Sequence, residues 1–155
     1  MSDRKAQPFD IVQKPKHYNN HPSGVEAIEL CEVMTFNLGN AFKYVYRRGD
    51  KGNTLQDLNK ALWYLEREIK RLSRYTWMPA IFQGMFKVNS EFSQHHEELV
   101  GAIISAETDS VAASFYSYLL VTGSMNKVEP SLAIACDSLR HMIEVAQTPD
   151  APQAS

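Results

Sequence analysis

Leu55, Leu58, Leu62, Leu65, Ile69 and Leu72 recur at spacings of three and four residues, and no other stretch of the chain restricts its fold so tightly. The series lays one apolar stripe along an amphipathic helix of about twenty residues, with Thr54 and Asp57 as a capping start. Such a stripe is stable only against other apolar faces, so the remaining sequence must supply them. A second helix runs over 36–48 and is closed by Gly49, with Leu38, Ala41, Phe42 and Val45 on one side and a first turn made uncertain by Gly39. A first helix starts at Ser23, with Glu26 at the capping-box spacing, carries Val25, Ile28, Leu30 and Val33, and ends near Met34. The last, near 131–147, presents Leu132, Ala135, Cys136, Leu139, Met142, Ile143 and Ala146. Weaker helical segments fall at 79–89, 91–107 and 111–122, the last closed by Gly123. No period-two pattern and no internal repeat compete, so the expected fold is all-α: a compact bundle of about six helices with an extended N-terminal arm.

At 155 residues the chain holds one domain with a core of its own. We divide it into an arm at 1–22 punctuated by Pro8, Pro15 and Pro22, a helical core at 23–75, a helical C-terminal part of the same domain at 76–147, and a Pro/Ala/Gln tail at 148–155 expected to be disordered. No apolar run approaches the roughly 20 residues of a membrane span, and Met1-Ser2-Asp3-Arg4-Lys5 does not open a signal peptide. A cytoplasmic protein without membrane partners is the expectation. Cys31 and Cys136 sit inside apolar helical patterns and read as buried free thiols.

Charge is segregated along the chain. Residues 1–75 carry 13 Lys and Arg against 9 Asp and Glu, whereas residues 76–155 carry 3 against 9, so an anion site belongs in the first half. On the second helix Asn40, Lys43 and Arg47 project together, opposite the apolar side. On the third, Asp57, Lys60, Tyr64, Arg67 and Arg71 form a stripe beside the leucines. Packed by their apolar sides, the two helices would flank one cationic groove that also draws on Arg48 and Lys51. Lysine and arginine neutralise phosphate, asparagine and tyrosine read a base or sugar, and aspartate fixes an arginine or a ribose hydroxyl.

The ordered series His17-Tyr18, Gly24-Val25-Glu26-Ala27-Ile28-Glu29-Leu30, Gly39 through Gly49, Lys51-Gly52 and Asp57 through Glu66 resembles a phage family of small nucleotide kinases that lack a P-loop, the family of the bacteriophage T-seven nucleotide kinase. The resemblance covers about residues 15–72. It implies transfer of a phosphoryl group from a (deoxy)nucleoside triphosphate to a deoxynucleoside monophosphate such as dTMP or dGMP, in the cytoplasm of an infected host cell. Consistent with it, no Gly-x-x-x-x-Gly-Lys-Ser/Thr occurs. Under this reading His17, Lys43 and Arg47 are the catalytic candidates. Tyr18, Asn40, Tyr44, Arg48, Lys51, Asp57, Lys60 and Tyr64 are the nucleotide-binding candidates. No metal ligand is assigned, and Mg²⁺ is compatible only as a companion of the nucleotide. The arm segment Lys14 to Tyr18 is expected to fold back over the groove, bringing His17 and Tyr18 towards Asn40, Lys43 and Lys60.

Two other functions remain open. A nucleotide or nucleotide-signal binding protein without turnover would need the same cationic groove. A MazG-like triphosphate pyrophosphohydrolase would use Glu26, Glu29 and Glu32, but the Glu-x-x-Asp that completes such a Mg²⁺ cluster is missing from residues 33–147. His95 and His96, beside Glu97 and Glu98, point about 100° apart on a helix and suit a surface better than one shared ion. Specific nucleic-acid binding is disfavoured by a pI of about 6.2. Trp63 projects away from the leucine stripe, so we expect the second half of the chain or another subunit to cover it, and a homo-oligomer to form.

Overall fold

The computed structural model describes residues 20–50, 52–74, 93–120 and 125–148. Among these residues every regular element is a helix and none is a strand: α1 (Ala27–Cys31), α2 (Phe36–Tyr46), α3 (Thr54–Ser73), α4 (Gln94–Ala106), α5 (Ser110–Leu120) and α6 (Met125–Gln147). The all-α expectation holds. The expected segment at 79–89, most of the N-terminal arm, and nearly all of the tail lie outside the described residues.

The leucine helix occupies the middle of the bundle, packed on one side by α2 and on another by α6, while α5 pairs with α6 and reaches α2. Helix α1 leans on α2, and α4 leans on α5. Leu58, Leu65 and Leu72 are buried, and Leu55, Leu62 and Ile69 pack partly against the core. From α2 come Leu38, Ala41, Phe42 and Val45, from α5 Phe115, Tyr116 and Leu119, and from α6 Leu132, Ala135, Leu139, Met142 and Ile143, all buried. Each fully buried large apolar side chain contributes about 1.5–3 kcal/mol relative to exposure, which offsets the entropy of ordering these helices. No described helix is long and apolar enough to cross a membrane. Both cysteines are free, and burial pushes each thiol up to about 11.

Helix boundaries shift where local hydrogen bonding overrides the simplest cap. Helix α1 starts after Glu26, not at Ser23, because Gly24 turns into the left-handed region at φ 70° and the Ser23 hydroxyl already lies 2.8 Å from His21 Nδ1. Its capping box is made by Glu26 and Glu29 instead, and Ile28, expected inside, is exposed. Helix α3 is capped by Asn53, whose side chain accepts from the Gln56 amide, in place of Thr54. Helix α2 ends at Tyr46, two residues earlier than expected, and Gly49 takes up the left-handed turn at φ 90°. Helix α6 begins at Met125, earlier than the expected 131. Gly39 lies inside the helix, its amide bonded to the Thr35 carbonyl at 2.9 Å, and a glycine suits the position because a β-carbon there would stand 3.2 Å from the Cys31 carbonyl oxygen. The missing side chain lets α1 and α2 approach closely.

Candidate nucleotide-binding face

Successive turns of α2 and the first three turns of α3 bring Tyr44 and Tyr64 side by side, stacked with ring centres 5.9 Å apart and planes 16° from parallel. Three cations surround the Tyr44 ring. Arg47 Cζ lies 4.5 Å from its centre, Lys43 Nζ 5.0 Å and Lys60 Nζ 5.5 Å. Each is within the reach of a cation–π contact, and a shared ring relieves part of their mutual repulsion. Asp57, buried, binds Arg47 Nη2 at 3.1 Å and stands 4.0 Å from Lys60 Nζ. These four charged side chains sum to +2. Lys43 Nζ donates to Asn40 Oδ1 at 2.7 Å, and Asn40 Nδ2 donates to the Phe36 carbonyl at 2.7 Å, so the amide is held with its oxygen towards the lysine.

Of the residues expected in the groove, Asn40, Lys43, Tyr44, Arg47, Asp57, Lys60 and Tyr64 therefore come together. Arg47 is the least solvent-accessible of the cations, since it is the C-cap of α2 and its guanidinium is turned under Tyr44 onto Asp57. Arg48 does not join the cluster. Because α2 has already ended, Arg48 leaves the helical projection and reaches the second half of the chain. There it binds Glu107 at 2.8 Å, stands 3.8 Å from Asp109, and donates to the Val45 carbonyl. His17, Tyr18 and Lys51 lie outside the described residues.

Two polar networks had no signature in the sequence. The Glu68 carboxylate, fully buried, accepts from Thr35 Oγ1 at 2.9 Å, Asn37 Nδ2 at 2.8 Å and Arg71 at 2.6 and 2.9 Å. Burial would raise its pKa, but the Arg71, Asn37 and Thr35 bonds win and hold it below the usual range. Glu107 is likewise opposed by burial, yet His21, 3.7 Å away, and Arg48 bring it down to about 2. His21 stacks on Tyr46 at 4.5 Å, and Tyr116 closes the same cluster with its hydroxyl 3.4 Å from Arg48. Apart from Arg71, which stands at the helical spacing of three from Glu68, these partners lie 25 to 86 residues apart in sequence and carry no periodic signal.

Other candidate chemistry is spent locally. Glu26 and Glu29 cap their own helix. His96 Nδ1 accepts from the Ser93 amide as the cap of α4. Among the described residues no three His, Cys, Asp or Glu side chains converge as a metal site. A cleft of about 310 Å³ between α3 and α6 is floored by Leu58, Met142 and Val145, with Arg48, Asp109 and His141 at its edge. Arg48 is already held by Glu107 there, which leaves the Tyr44 cluster as the stronger candidate for an anion.

Fold and site together define an all-α protein carrying an aromatic, cation-flanked face on two packed helices. Residues 12–66, about a third of the chain, match the family model DUF3310, described as proteins of unknown function. The matched stretch contains every member of the Tyr44 cluster. Comparison with curated proteins and with solved structures gives no match.

Proposed function

We propose that the α2–α3 face binds a nucleotide and that the protein is a phage nucleotide kinase-like phosphotransferase, passing a phosphoryl group from a (deoxy)nucleoside triphosphate to a deoxynucleoside monophosphate such as dTMP or dGMP. The observation that carries the binding step is the convergence of Lys43, Arg47 and Lys60 on the Tyr44 ring with one carboxylate among them. A phosphate that reaches both Lys43 and Lys60 neutralises two cations that the fold holds around one ring. Asn40 and Tyr64, beside them, supply hydrogen-bonding and stacking groups for the rest of a nucleotide. Phosphoryl transfer depends mostly on positioning and charge stabilisation, and Lys43 and Lys60 are the cations suited to it; Mg²⁺ would arrive with the triphosphate. The transfer step itself rests on the resemblance over about residues 15–72.

Binding without turnover is favoured by one feature: Arg47 is committed to Asp57 and so acts as a positioning group. Calorimetry with dTTP and dTMP, followed by chromatography of the products, separates the readings. Lys43→Ala and Lys60→Ala are each expected to weaken triphosphate binding by roughly 1.5–3 kcal/mol, with diphosphate formed by the parent. Parental affinity in both variants places the phosphate elsewhere. Tight binding without product makes the protein a sponge, and release of pyrophosphate makes it a hydrolase.

A further inference from the structure

The solvent side of α3 continues the aromatic face beyond Tyr64. Projected at about 100° per residue, Lys60, Trp63, Tyr64, Arg67, Lys70, Arg71 and Arg74 fall within an arc of about 120° that contains no Asp or Glu. Arg71 is used by the buried Glu68, whereas Arg67, Lys70 and Arg74 extend into solvent. Trp63 is 54% exposed, with Tyr64 edge-on at 4.8 Å and the Arg67 guanidinium 5.2 Å over its ring. Phe36 of α2 is 75% exposed and meets Tyr64 from its other side at 5.9 Å. The second half of the chain or another subunit was expected to cover Trp63; among the described residues the second half leaves it exposed. Asp57 and Glu68 border one edge of the arc, buried and paired with Arg47 and Arg71, and Glu66 lies beyond the other edge, engaged by Arg140 of α6 at 3.0 Å.

We propose that this strip binds single-stranded nucleic acid without sequence preference, stacking bases on Trp63 and Phe36 and drawing the backbone along Arg67, Lys70 and Arg74. The chemistry of the strip selects such a partner. Flat rings with both an exposed face and adjacent cations suit alternating bases and phosphates, and an uninterrupted row of positive side chains matches a polyanion rather than a single phosphate. From Lys60 to Arg74 the strip runs about 21 Å along the helix, longer than one nucleotide requires. A duplex presents its bases edge-on, so Trp63 and Phe36 have nothing to stack on there. The strip shares Lys60 and Tyr64 with the Tyr44 cluster, but the groups that carry this proposal, Trp63, Phe36, Arg67, Lys70 and Arg74, lie beyond it.

The test uses the full chain and fluorescein-labelled oligo-dT of about 5, 10 and 20 nucleotides, read by anisotropy at several salt concentrations. Affinity is expected to rise with length and fall with salt. Trp63→Ala should weaken binding about tenfold, Trp63→Phe should restore most of it, and the Arg67→Ala/Lys70→Ala pair should flatten the salt dependence. All three variants change exposed positions, and thermal melting confirms that they fold. Oligonucleotides bound no better than dTMP overturn the proposal, as does parental binding by Trp63→Ala and Arg67→Ala/Lys70→Ala. A dimer in light scattering that Trp63→Ala dissolves also overturns it, because a second copy then covers the strip. Loss of dTTP binding in Lys43→Ala with oligonucleotide binding intact separates the two sites, and failure of one leaves the other standing.

Discussion

Asp57 is the residue on which the cation cluster turns. Its carboxylate is buried, it binds a guanidinium that is itself buried, and a lysine stands at 4.0 Å. Removing its charge while leaving Arg47 in place strands a cation away from water. Asp57→Asn should therefore destabilise the protein by about 3–5 kcal/mol, read from urea unfolding. Replacing Arg47 and Asp57 together by Met and Leu should cost far less, because no charge is then left buried. A double-substituted protein as unstable as Asp57→Asn would show that the pair matters through packing alone. Of the seven groove residues that do converge, Asn40, Lys43, Arg47, Asp57, Lys60 and Tyr64 were legible in the sequence because a projection at constant angle places them on facing stripes, whereas Tyr44 entered only through the family resemblance. Arg48 was not, because one early helix end breaks the projection and its true partners, Glu107 and Asp109, come from a distant segment.

Helix α3 was legible as an element because its leucines keep their period over five turns. Helix α2 was less so, since glycine at its fourth position lowers helix propensity by about 1 kcal/mol relative to alanine. Tertiary contact explains the glycine. With a new β-carbon 3.2 Å from a main-chain oxygen that cannot swing aside, Gly39→Ala gains propensity but pushes α1 off α2. We expect a net loss of about 1–3 kcal/mol, measured as a lower melting temperature. A more stable Gly39→Ala protein would mean that α1 shifts freely. No pattern reading recovers such a contact from one chain, because the partner is backbone and has no side-chain identity.

Across the whole molecule, the opposed charges of the two halves meet in the Arg48 network. Glu107 is held down at about 2, well below the roughly 4.3 of an unfolded glutamate. A lowered carboxyl pKa contributes stability that is present in full above the unfolded value and is lost as pH falls from about 4.3 towards 2. Glu107→Gln should therefore lower stability at neutral pH and make unfolding less steep with acid below about pH 4.5. Equal acid dependence in parent and variant would remove Glu107 from this role. Linear charge counting anticipated a positive first half and a negative second half but not that Arg48 and Arg140 join them, since a count has no depth.

Glu68 and Asp57 stand eleven residues apart on α3, about 16 Å along its axis, and each grips α2 or its cap: Glu68 through Thr35 and Asn37, Asp57 through Arg47. Two fastenings at opposite ends of a helix pair fix its register. Neither helix can roll or slide without unmaking bonds to a buried carboxylate, hydrogen bonds at Glu68 and an ion pair at Asp57, and the aromatic rings between the fastenings inherit that restraint. Under the proposed nucleotide binding, a ligand arriving at Tyr44 and Tyr64 would meet a surface whose ordering was completed at folding, so little of its binding energy would be consumed in arranging the receptor.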